Sequence, residues 1–150
     1  MKAMLTHIGA WSPMAEQKAT AAFLGKKEAI NAYLAHFKKE VEERLHAIYN
    51  GFMQLKAEGF PVDAIAPQAA IYLTIKIDLS GKKTDQGSAM PDQAAVTSYI
   101  LNAAKLAIVP FSAFGAGKND PWYRLSVGTC KKEQIPAMLQ SLRNLMLTLK

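Results

Sequence analysis

Eight apolar residues, Ile30, Leu34, Phe37, Val41, Leu45, Ile48, Phe52 and Leu55, recur at spacings of three and four. An α-helix turns once in about 3.6 residues, so these side chains fall on one stripe. The stripe predicts a single long amphipathic helix ending near Glu58, where Gly59 and Pro61 stop it. Lys38, Lys39, Glu40, Glu42 and Glu43 sit mostly off the stripe, as a solvated face requires. An apolar stripe must be covered by another element, so this helix constrains everything that follows it.

Upstream, Ser12-Pro13 reads as a helix start, with serine as cap and proline at the first helical position. Residues 14–24, MAEQKATAAFL, are strong helix formers, and Gly25 interrupts them. Downstream, residues 70–78, AIYLTIKID, are β-branched and aromatic and predict a strand. A polar loop over 80–90 leads to Pro91-Asp92, which opens a helix over about 92–105 with Val96, Tyr99, Ile100 and Ala103 inward. A short strand, Leu106–Val109, ends at Pro110; residues 111–121 form a loop; Trp122–Gly128 is a third strand. Thr129 caps a last helix over about 131–149, whose stripe is Ile135, Leu139, Leu142, Leu145, Met146 and Leu149. The order predicts an α+β fold, a small three-stranded sheet covered by helices, with a long N-terminal helix.

Composition narrows the function. At 150 residues the chain is one domain by length. Its single cysteine, Cys130, allows no internal disulfide, which fits a reducing cytoplasm. No apolar run approaches the ~20 residues of a membrane-spanning helix, and the start lacks the uninterrupted apolar core of a signal peptide. The net charge of +6 is spread out: residues 1–60 hold 8 basic and 6 acidic residues, and 61–150 hold 10 and 6. A nucleic-acid binder gathers its cations on one stripe with aromatics between them. The spread here predicts solvated faces and no nucleic-acid partner, with a charge-driven nucleic-acid module as a competing reading.

Catalytic motifs are few. The chain has no GxGxxG, Walker loop, CxxC or HExxH. His36 and His46 stand ten residues apart, too far to share one ion, so no metal site is expected. Lys131 and Lys132 beside Cys130 would lower a thiol pKa, but no histidine is positioned to use it. Gly115 and Gly117 lie in a loop that could cradle an anion or simply move. Trp11 and Trp122 read as packing or interface aromatics. Arg124 is different, because it is a fixed charge inside an otherwise apolar strand. Its planar fork suits a carboxylate, either a ligand's or one of the protein's own.

VPFSAFG followed by WYRLSVG and a terminal amphipathic helix resembles the C-terminal small domain of fold-type I, class I/II pyridoxal-phosphate-dependent aminotransferases. The matching residues are Pro110, Phe114 and Gly115, then Tyr123, Arg124 and Ser126, with Trp122 as the alternative aromatic. The resemblance implies that Arg124 holds the substrate's α-carboxylate and that Phe114 lines its pocket. HIGAWSPMAEQKATAAFL is similar to the family's crossover segment, through Ser12-Pro13, Gln17, Ala19 and Ala21. That implies that residues 1–25 close the large domain, that 26–150 form the small domain, and that Trp11 and Ser12 reach the partner subunit's pocket in a homodimer. Phe111 stands where the family commonly has glycine. The family's Ser-x-x-Lys stretch is missing; Ser80-Gly81-Lys82-Lys83 lies in the wrong place in the order. The resemblance thus implies a chain without catalytic residues of its own. It would bind no pyridoxal phosphate alone and would work beside a large domain in an intact transaminase. The alternative is a stand-alone α+β binding or dimerisation module in which Arg124 pairs internally.

Overall fold

Helix α1, Met14–Leu24, starts where the Pro13 carbonyl accepts the Gln17 amide at 3.1 Å. Helix α2, Lys27–Ala57, follows after Gly25. The structure, a computed structural model, describes residues 3–4, 9, 13–84 and 86–149. The chain divides into two compact units, Met1–Lys39 and Glu40–Lys150, with the division inside α2.

None of the described residues of the first unit is buried. Leu34 and Phe37 are 39% and 43% exposed, and the Phe37 ring stacks on Tyr33 at 6.1 Å. The apolar stripe therefore ends up half covered. Periodicity shows which side of a helix seeks cover, not whether the unit holds anything to provide it.

The second unit has its own core. Val41, Leu45, Ile48, Phe52 and Leu55 of α2 are buried in one cluster with the inner side chains of the sheet and of two further helices. These are α3, Gln93–Ala104, and α4, Ile135–Leu147. Asp92 caps α3 by accepting the Ala95 amide at 2.9 Å, as the Pro-Asp pair predicts. On α3 the buried residues are Gln93, Val96, Ile100 and Ala104, with Ala103 exposed against expectation. Helix α4 does not start at Thr129. A short 3-10 turn, Lys132–Gln134, precedes it, and the Gln134 side chain accepts the Lys131 amide at 3.2 Å. Gly51 of α2 meets α4 closely: a Cβ built there would lie 2.1 Å from Leu139 Cδ1.

The sheet has four antiparallel strands rather than three, in the order β1-β2-β4-β3. They are β1, Val62–Ala64; β2, Tyr72–Ile77; β3, Val109–Pro110; and β4, Trp122–Ser126. The additional strand is β1. Its three residues follow Pro61 and include Asp63 and Ala64, so they carry no strand signature of their own. Pairing with β2 makes them a strand, with Val62 opposite Ile77 and Ala64 opposite Ile75.

Candidate functional site

Side chains alternate across a strand, so β4 sends Tyr123 and Leu125 into the core and leaves Trp122, Arg124 and Ser126 on the other face. Likewise β2 buries Leu73, Ile75 and Ile77 and leaves Tyr72, Thr74 and Lys76 on that second face. Arg124 sits opposite Thr74 on one side and Val109 on the other. Tyr72 sits opposite Ser126. Tyr72 and Arg124 are therefore diagonal neighbours on one face, within reach for long side chains. The Arg124 Cζ lies 4.5 Å from the Tyr72 ring centroid and 4.6 Å from that of Phe114.

Phe114 arrives by a local device. After Pro110 the chain enters a 3-10 turn, Phe111–Phe114, in the loop stretch of the sequence. Gly115 ends the turn at φ 94°, a left-handed conformation that favours glycine, and its N–H is spent on the Ser112 carbonyl at 3.3 Å. The glycine thus serves the turn that lays Phe114 over β4. Farther on, the Gln93 side chain, 3% exposed, donates from Nε2 to the Asp120 carbonyl and to the Trp122 carbonyl at 3.1 Å. Asp120 Oδ1 accepts the Trp122 amide at 3.1 Å. Helix α3 therefore holds the entry to β4.

Five ion pairs stand among the described residues. Lys56 holds Asp63 at 2.7 Å, Lys76 holds Asp78 at 3.7 Å, Arg143 holds Glu58 at 2.8 Å, Arg44 holds Glu40 at 3.0 Å, and Lys132 pairs with Glu43. Among the described residues no carboxylate pairs with Arg124 and none accepts a hydrogen bond from it. The ring contacts are cation–π contacts and leave the N–H donors for another acceptor.

The neighbouring Tyr123 points the other way. Burial pushes its hydroxyl up to about 12, against a Thr97 hydrogen bond that lowers it, with Asp78 adding to the rise. Trp122, not Tyr123, is the aromatic that shares the face of Arg124. Cys130 departs from expectation: burial pushes its thiol up, and only Arg44 draws it down. His36 and His46 are exposed, and no group of metal-binding side chains gathers among the described residues. The structure brings Arg124 and Phe114 together; Trp11 and Ser12 lie outside the described residues. Sequence reasoning missed Tyr72 and Gln93, because their roles appear only once strand register and helix placement are known.

No family model matches the chain. It is 37% identical over 68 residues to the probable aspartate/prephenate aminotransferase of Rickettsia typhi, a match covering 45% of this chain and 16% of that protein. The Rickettsia bellii counterpart is 36% identical over 75 residues, 49% of this chain and 18% of the relative. In fold the chain matches an aspartate aminotransferase from Rhizobium meliloti with a TM-score of 0.66 at 23% identity, over 79% of this chain and 28% of that one. An alanine aminotransferase from Pyrococcus furiosus gives 0.60 at 20% identity, over 77% and 26%. The chain thus spans less than a third of the length of each of these four proteins.

Proposed function

We propose that this chain, related in sequence and in fold to part of a pyridoxal-phosphate-dependent aminotransferase, supplies the arginine that holds the substrate's carboxylate in such an enzyme. The observation that carries the reading is Arg124 itself. It stands on the outer face of a paired strand, flanked by two aromatic rings, with its donors unclaimed among the described residues. A guanidinium fork accepts both carboxylate oxygens at once, which fixes orientation as well as position. Phe114 and Tyr72 hold the guanidinium between them at cation–π distance without using its donors on a carboxylate.

Transfer of an amino group between an amino acid and a 2-oxo acid would be the reaction of the intact enzyme. Pyridoxal phosphate requires a lysine amine, a phosphate cradle and an acid against its ring nitrogen. The residues around Arg124 do not fit that group. The lysine on its face, Lys76, is paired with Asp78, and the Gly115 N–H is spent within its own turn. The cofactor therefore belongs to another part of the enzyme, the large domain. This chain binds substrate and does not transform it. In this reading residues 1–25 form the crossover and 26–150 the small C-terminal domain. Trp11 and Ser12 face the partner subunit's pocket in a cytoplasmic homodimer.

In an aminotransferase carrying this segment, Arg124→Lys raises the KM for both amino acid and 2-oxo acid about tenfold or more, because lysine cannot reproduce the bidentate fork. Unchanged KM and turnover overturn the assignment. The second reading, a stand-alone α+β binding or dimerisation module in which Arg124 pairs internally, draws on the core within Glu40–Lys150, but no carboxylate pairs with Arg124 among the described residues. It predicts no response of Arg124 to carboxylates.

A further inference from the structure

We infer that Tyr72 is a positioning residue for Arg124: its ring pre-orders the guanidinium so that the fork meets a carboxylate edge-on. The inference rests on the reading of Arg124 as a carboxylate site. An arginine side chain loses much rotamer freedom when it is immobilised, and a contact that fixes it beforehand removes that cost from binding. Two rings lie within cation–π distance of Arg124 Cζ, but they are mounted differently. Phe114 ends a 3-10 turn and is 57% exposed. Tyr72 belongs to β2, which pairs with β4 from Tyr72 to Lys76 and with β1 from Ile75 to Ile77. The same ladder that sets Tyr72 opposite Ser126 sets Arg124 opposite Thr74, so strand pairing itself fixes the ring beside the guanidinium. Phe114 closes over it from the loop.

The ring and not the hydroxyl carries this role. The Tyr72 hydroxyl has no hydrogen-bond partner among the described residues, whereas the ring lies 4.5 Å from Arg124 Cζ. Phenylalanine should therefore replace tyrosine, and an aliphatic residue should not.

The test follows the Arg124 side-chain Nε–Hε resonance by NMR in the 150-residue chain, assigned by its loss in Arg124→Lys, with pyruvate as the carboxylate probe. In the wild type and in Tyr72→Phe the Arg124 Hε is shifted by ring currents, is ordered, and responds to pyruvate. In Tyr72→Val, which keeps a strand-forming residue, the shift and the order fall toward those of an unrestrained arginine. Pyruvate then binds about three- to fivefold more weakly. Should Tyr72→Val disturb the backbone amide signals of β2 and β4, Tyr72→Thr repeats the comparison. Wild-type order, shift and affinity in the aliphatic or threonine variant overturn the positioning role while leaving the carboxylate reading intact. A wild-type chain whose Arg124 ignores pyruvate overturns the carboxylate reading. In that case the order and shift of Arg124 in the variants still decide whether Tyr72 holds it.

Discussion

Gly51 on α2 and Leu139 on α4 approach so closely that a Cβ on the glycine would lie 2.1 Å from Leu139 Cδ1 and 3.0 Å from its Cγ. The whole isobutyl group would have to move, not just its tip. Gly51→Ala gains up to about 1 kcal/mol of helix propensity but forces this overpacking. We expect a net loss of about 1–2 kcal/mol, read as a lower urea midpoint. Leu139→Ala in the same background should restore part of it, since the two side chains compete for one space.

Gln93 offers a second test of packing that the site depends on. Its Nε2 serves two backbone carbonyls beside β4, while its Oε1 is buried without a partner. Gln93→Ala should cost about 2–3 kcal/mol by leaving those carbonyls unpaired. Hydrogen exchange should quicken at Trp122 and in the loop before it, ahead of the rest of the sheet.

Acid acts through a surface pair. The hydrogen bond from Arg143 holds the Glu58 carboxyl below its ordinary 4.5, against a smaller opposing effect of desolvation. A carboxylate with a depressed folded-state pKa stabilises the fold above its unfolded value, and that contribution is lost as pH falls through the folded one. Stability should thus decline as pH drops below about 4.5, and Arg143→Met should flatten that slope at low salt. An unchanged slope in urea titrations would show that the pair contributes nothing.

Base acts through the core. Burial holds the Tyr123 hydroxyl near 12, against 10.0 for an ordinary tyrosine. A raised folded-state pKa contributes stability that is complete below 10.0 and lost as pH rises toward 12. The native protein should show a late tyrosinate absorbance step, absent from Tyr123→Phe, with unfolding promoted over the same interval.

Ala70 adopts φ 65° just before β2, a left-handed conformation that costs an alanine about 1 kcal/mol. Ala70→Gly should therefore stabilise the fold by about 0.5–1 kcal/mol, read as a higher urea midpoint, and no change would mean that the turn relaxes freely.

The local periods were legible in the sequence. The three-and-four spacing from Val41 to Leu55 marked the buried side of α2, β-branched and aromatic content marked β2, and Pro91-Asp92 marked the start of α3. Arg124 stood out because a permanent charge in an apolar strand demands an acceptor. Only the tertiary structure decided the rest. Three residues after Pro61 become a strand because β2 offers them a ladder. Ile30, Leu34 and Phe37 continue the stripe, yet Leu34 and Phe37 stay exposed, because burial depends on what packs against a face and not on its period. Tyr72 lies 52 positions from Arg124 in the chain and meets it only through the register of β2 on β4. Periodicity is a property of neighbours along the chain, while register is set by long-range hydrogen bonds and core packing, so the sequence marked the arginine and the fold chose its companions.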